Sequence, residues 1–147
     1  KTQFAFALAT DPKYLILDEP TANFDPEFKK DFLDVIIKFT EDGKKSVVLA
    51  SHVMDELDRI ADYLIYMENG GLVYSGDIES FRDKYRIVSG ERYKVNLLKQ
   101  YIIHAENRKY GTKALVINHG YSRYDDSLTV TVPTLEEFMY HYSKRGE

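Results

Sequence analysis

Two adjacent carboxylates, Asp18 and Glu19, directly follow the apolar run formed by residues 14–17. Such a run predicts a short strand that is buried on both faces. Side chains alternate along a strand, so the two carboxylates point in different directions, and the carboxyl end of a parallel strand opens on the usual ligand crevice. A bound cation with polyphosphate would offset the repulsion between the two charges. One carboxylate would then hold Mg²⁺ through its water shell, and the other would orient an attacking water.

The elements around these carboxylates alternate between strands and helices. Pro26 suits the first turn of a helix whose N-cap is Asp25, and apolar residues follow it at helical spacing. Residues 46–50 predict a second buried strand, which ends at Ser51-His52. This βαβα rhythm, which extends to about residue 62, predicts a parallel sheet flanked by helices.

The order of these blocks resembles that of the ABC-type ATPases. Residues 15–21, which read Leu-Ile-Leu-Asp-Glu-Pro-Thr, resemble the Walker B motif and its following catalytic glutamate. Residues 22–26 resemble the D-loop, and Ser51-His52 stands where the family has its switch histidine. Residues 68–76 resemble the hairpin that ends the core domain. The resemblance covers residues 1–85 and implies an α/β fold, a partial P-loop NTPase sheet with flanking helices.

The resemblance also implies a role for each site residue, with ATP and Mg²⁺ as the cofactors. Asp18 would serve the Mg²⁺ through water, and Glu19 would polarise the attacking water. His52 would contact the γ-phosphate and hold the catalytic geometry. Asp25 would couple two ATP sites across a dimer, and Ser51 would join the nucleotide contacts.

The sequence departs from the family pattern in two ways. It contains no G-x-x-x-x-G-K-[ST] loop to cradle phosphates, and the adenine contact, Q-loop and signature sequence are also missing. In the family these lie upstream, so we expect a C-terminal portion that begins just after the signature motif and is inactive alone. Asn23 and Phe24 replace the usual Gly and Leu of the D-loop, so its geometry can differ from that of the family.

The pattern changes near residue 86, and we expect residues 86–147 to form a small α+β accessory or regulatory tail. Thr134 and Glu137 fit a capping box at the start of the last helix. Residues 132–139 resemble the closing helix of ATPase subunits paired with ABC-2-type exporters of Gram-positive bacteria, which favours export. The predicted strands of the tail lie near 86–88, 101–104, 113–117 and 128–132, and its predicted helices span 91–100 and 134–144.

Three classes of function remain open at this point. The first is the ATP-hydrolysing subunit of a membrane transporter, peripheral on the inner face of the cell membrane, with transmembrane permease subunits and a second nucleotide-binding subunit as partners. The second is a soluble ABC-type ATPase that acts on ribosomes or DNA. The third is a non-enzymatic dimerisation or docking module.

Composition and motif details separate these classes. The net charge of −4 and the absence of a basic block disfavour nucleic acid as a partner. The D-loop also lacks the Asn-His-Leu-Asp pattern of translation-type relatives, so a transporter subunit is favoured. With no cysteine, the chain is compatible with a reducing, cytoplasmic location. His104, His119 and His141 have no metal-ligand spacing, and we interpret them as structural or surface residues.

Overall fold

The computed structural model of the protein describes residues 2–118 and 124–146, and His119 lies outside them. Contacts divide the chain into two compact units, Lys1–Ile60 and Ala61–Glu147. The boundary expected after residue 85 falls within the second unit and stays a prediction.

The first unit is an α/β structure built on two parallel strands. Strands β1 (Tyr14–Asp18) and β2 (Ser46–Ala50) pair in register from Tyr14 opposite Ser46 to Asp18 opposite Ala50. Asp25 caps the long helix, as predicted: its side chain accepts a hydrogen bond from the Phe28 amide at 2.9 Å. These features confirm the predicted α/β class. The elements of the unit are α1 (Thr2–Ala9), β1 (Tyr14–Asp18), α2 (Pro26–Thr40), β2 (Ser46–Ala50) and α3 (Met54–Ile60).

The core of the first unit lies on one face of this sheet. Leu15 of β1 packs with Phe32, Leu33 and Ile36 of α2, and residues of α1 and α3 join the cluster. On the opposite face Ile16 is 78% exposed and Val48 is 64% exposed. The prediction that both faces of these strands are buried was therefore wrong within this unit. The reason is that the helices all contribute to the cluster around Leu15, and strand alternation turns Ile16 away from it.

The second unit begins with a β-hairpin. Strands β3 (Tyr63–Glu68) and β4 (Gly71–Asp77) are antiparallel, and Asn69 and Gly70 at their turn have φ angles of 49° and 76°. Two consecutive left-handed residues are typical of the tight turns that match strand twist, as the sequence predicted. The elements of this unit are β3 (Tyr63–Glu68), β4 (Gly71–Asp77), α4 (Ile78–Lys84), β5 (Tyr85–Gly90), α5 (Arg92–Asn96), β6 (Ile102–Arg108), β7 (Gly111–Ile117), β8 (Thr129–Thr131) and α6 (Leu135–Ser143).

Four of these strands form an antiparallel sheet in the order β6-β7-β5-β8. Helix α6 starts with the predicted capping box, in which Thr134 and Glu137 satisfy each other's backbone amides. Helix α5 is shorter than the predicted span 91–100, because hydrogen bonds between residues three apart continue the chain from Leu97 to Tyr101 as turns. Across the described parts of both units, no helix combines the length and apolar character that crossing a membrane would require.

Candidate functional site

The candidate site lies at the carboxyl edge of the β1–β2 sheet. The backbone amide of Glu19 donates to the carbonyl of Ala50 at 2.8 Å, one residue beyond the paired strands. Glu19 therefore leaves β1 beside the point where Ser51 and His52 leave β2. In parallel sheets this edge is where ligands usually bind.

Glu19 has a left-handed backbone, with a φ angle of 42°. This conformation costs a residue other than glycine about 1 kcal/mol, and such residues cluster at functional sites. The turn that follows is held by hydrogen bonds from the Ala22 amide to the Glu19 carbonyl, at 3.4 Å, and from the Phe24 amide to the Thr21 carbonyl, at 3.0 Å. These hydrogen bonds therefore fix the backbone of Glu19 and, with it, the position of its Cβ atom.

The structure brings the side chains of Glu19 and His52 together. His52 Nδ1 lies 2.8 Å from Glu19 Oε2, and the two side chains are 75% and 40% exposed. The Oε2 atom is itself shielded from solvent, and it has no hydrogen bond of acceptable geometry within the described residues. The 2.8 Å distance is short enough for an ion pair when the imidazole is protonated. Because the Glu19 side chain is 40% exposed, its carboxylate can still accept a hydrogen bond from water.

The other predicted site residues lie near this pair without joining it. Asp18 ends β1 with an exposed carboxylate, which has no hydrogen bond or ion pair within residues 2–118 and 124–146. Asp25 caps α2, and the Ser51 hydroxyl accepts a hydrogen bond from the Val53 amide at 3.0 Å. The structure thus gives Asp25 and Ser51 local structural contacts, and the nucleotide-binding roles of all three residues stay predictions.

Sequence reasoning missed a buried polar contact behind the site. The hydroxyl of Thr21, which is fully buried, donates to Glu56 Oε2 at 2.7 Å, and Glu56 is only 5% exposed. The two residues are 35 positions apart. The apolar spacing of α3 gives no sign that Glu56 is buried. The one signal in the sequence is Thr21, which follows the adjacent carboxylates Asp18 and Glu19 by two residues and could have been examined for a buried partner.

Within the described residues, no group of three or more histidine, aspartate or glutamate side chains is arranged to hold a metal ion. This arrangement still fits Mg²⁺, which usually keeps several waters and takes only one or two carboxylates together with substrate phosphates. The exposed carboxylate of Asp18, at the sheet edge beside Glu19, is a donor of this type.

Glu19 and His52 are in contact at the carboxyl edge of parallel strands, where α/β proteins usually bind their ligands. Comparison with known proteins indicates which α/β proteins this chain resembles. The chain is 37% identical over 91 residues, or 61% of its length, to an ABC transporter ATP-binding protein of Mycoplasma pneumoniae. It is 34% identical over 76 residues to the energy-coupling factor transporter ATP-binding protein EcfA2 of Enterococcus faecalis, and 34% identical over 94 residues to ABC transporter A family member 1 of Dictyostelium discoideum.

These relatives are much longer than this chain. The matches cover 27% of the Mycoplasma protein, 26% of the Enterococcus protein and 10% of the Dictyostelium protein. No protein-family model matches the chain. The comparisons confirm the predicted resemblance to ATP-binding proteins of ABC transporters, and with it the partial P-loop NTPase fold of the predicted α/β class.

Proposed function

We propose that this chain supplies the water-activating part of the ATP-hydrolysing site in the ATP-binding subunit of an ABC transporter. The observation that carries the proposal is the 2.8 Å contact between Glu19 Oε2 and His52 Nδ1 at the carboxyl edge of β1 and β2. The names of the relatives supply the nucleotide and the link to transport. The proposal concerns the whole protein, because the matched residues cover only about a quarter of each bacterial relative.

In this proposal each side chain acts through its position at the sheet edge. Glu19 orients the attacking water through its carboxylate, which is 40% exposed and whose Oε2 atom contacts His52. His52 holds that carboxylate in place and would contact the γ-phosphate of bound ATP. Asp18 would hold Mg²⁺ through water, and the ion would offset the negative charge of the phosphates. Asp25 and Ser51 keep the flanking loops in position, with Asp25 coupling two sites across a dimer.

The proposed partners are transmembrane permease subunits and a second nucleotide-binding subunit, and the proposed location is the cytoplasmic face of the cell membrane. Relatives that are named as transporter ATP-binding proteins support this assignment. Export rather than import is proposed from the resemblance of residues 132–139 to exporter-type subunits. The tail, residues 86–147, is proposed as an accessory or regulatory region.

The isolated 147-residue chain should hydrolyse no ATP above a protein-free blank, because it carries no phosphate-cradling loop. The full-length protein that contains this sequence should hydrolyse ATP in the presence of Mg²⁺. Phosphate release from both proteins, measured side by side, checks this. Turnover by the isolated chain that survives repurification and is lost in Glu19→Gln would show that the chain holds a complete site. An inactive, correctly folded full-length protein would overturn the proposed function.

A further inference from the structure

Two segments beside the candidate site, the turn after β1 and helix α2, contact one buried carboxylate, Glu56 of α3. The Thr21 hydroxyl donates to Glu56 Oε2 at 2.7 Å, and the Lys29 ammonium of α2 lies 3.3 Å from Glu56 Oε1. Oε1 is buried and has no hydrogen bond of good geometry within the described residues, so its contact with Lys29 is one of charge rather than a formed hydrogen bond. Glu56 therefore contacts both the turn after β1 and the helix after the D-loop.

A carboxylate that is 5% exposed is costly unless a donor and an opposite charge compensate it. Thr21 supplies the donor, and Lys29 supplies the charge. The Lys29 side chain is 31% exposed, so solvent screens part of its attraction. The hydroxyl of Thr21, which is completely buried, is consequently the more specific of the two contacts.

The network borders the Glu19–His52 pair on both sides. Thr21 lies in the hydrogen-bonded turn that starts at Glu19, and Glu56 lies in the helix that starts two residues after His52. Lys29 belongs to the first turns of α2, where its amide donates to the Asp25 carbonyl at 3.0 Å. A shift of the Glu56 carboxylate would therefore move the turn of Glu19 relative to the helix that follows His52.

We propose that Glu56 is a positioning residue, which acts through Thr21 to hold Glu19 against His52. The inference rests on the proposed function, because it gives Glu56 a part in the same site. It adds a residue whose influence on hydrolysis is indirect: among the described residues, the Glu56 carboxylate contacts Thr21 and Lys29 by hydrogen bond and charge.

The test compares Thr21→Val, which removes the hydroxyl, with Thr21→Ser, which keeps it, in the full-length protein. Thr21→Val is expected to lower kcat for ATP hydrolysis about 10- to 100-fold while KM for ATP changes less than about threefold, because misplacement of a reacting group slows the chemical step. Thr21→Ser should retain at least about a third of the wild-type kcat, since the donor to Glu56 is kept. Asp34→Asn is the matched control: Asp34 also joins α2 to α3, through Arg59 at 2.8 Å, and it should leave kcat unchanged.

A second readout separates positioning from simple loss of folded protein. In this chain, the side-chain NMR signals of His52 should move in Thr21→Val and stay in place in Thr21→Ser and Asp34→Asn, while the amide spectrum of β1 and β2 shows that all three variants are folded. Equal kcat values for the Val and Ser variants, or an unmoved His52 signal, would overturn the positioning role. If Glu19→Gln left turnover of the full-length protein intact, the proposed function would fail instead, and the His52 signal would still report on the contact.

Discussion

Glu19→Gln is expected to lower kcat for ATP hydrolysis by the full-length protein about 10²- to 10³-fold, within the range for loss of a general base. Glutamine has nearly the same shape, so the turn that starts at Glu19 and its hydrogen bond to the Ala50 carbonyl should persist. What is lost is the negative charge of the carboxylate, which faces His52 and would polarise the attacking water. Steady-state phosphate release, together with nucleotide binding measured by equilibrium titration, checks this expectation.

Glu41→Gln provides a matched control, because Glu41 is an exposed glutamate of the same unit, at the end of α2. It should leave both kcat and ATP affinity within about twofold of wild type, as is usual for a surface change. If the two substitutions slowed turnover equally, Glu19 would have no special place in the reaction. If Glu19→Gln weakened ATP binding and left kcat unchanged, Glu19 would act in binding and not in water activation.

Protonation of His141 is expected to lower the free energy of unfolding of the second unit by about 3 kcal/mol when the pH falls from 7 to below 4. His141 of α6 is 1% exposed, and its Nδ1 lies 2.9 Å from Nδ1 of His104 on β6. Burial, followed by the charges of His104 and Lys113, lowers the pKa of His141 from 6.5 to about 4, against the opposing effect of Glu106 and Glu137.

The sign follows from proton binding. Between pH 6.5 and about 4 the unfolded chain binds a proton at residue 141 and the folded unit does not, so the free energy of unfolding rises with pH over this window. The contribution is fully present above pH 6.5 and fully lost below pH 4. The contact between the two Nδ1 atoms also requires one ring to donate and the other to accept, so it cannot persist once both atoms carry protons.

Hydrogen exchange of the β6, β7 and α6 amides at pH 7 and near pH 4 measures this change in the second unit. His141→Gln should remove most of the pH dependence between these values, because no ionisable group remains at that position. His52→Gln makes the same chemical change at an exposed histidine of the first unit and should leave it intact. A wild-type stability that is flat across this window would contradict the assignment.

Much of the local structure could be predicted because it depends on short-range chemistry. Asp25 before Pro26 identified the start of α2, and the capping box at Thr134 identified the start of α6. The carboxyl ends of β1 and β2 could be placed side by side because parallel strands share an edge. That placement predicts that Glu19 and His52 lie close together, but it does not predict the 2.8 Å distance between Oε2 and Nδ1.

What could not be predicted depends on packing between residues far apart in sequence. The exposure of Ile16 was missed because an apolar run does not say which neighbours cover each face. The Thr21–Glu56 bond joins positions 35 apart, and the His104–His141 contact joins positions 37 apart. Neither spacing leaves a periodic pattern, so the burial of Glu56 and His141 becomes visible only in the folded chain.

We propose that Glu19 and His52 act as one unit in ATP hydrolysis. A double-mutant cycle of Glu19→Gln and His52→Ala, read as kcat of the full-length protein, tests it most directly. We expect the double variant to be no more than about threefold slower than the slower single variant, because either change already disables the pair. Independent effects that multiply in the double variant would contradict the claim, since two side chains 2.8 Å apart would then contribute separately.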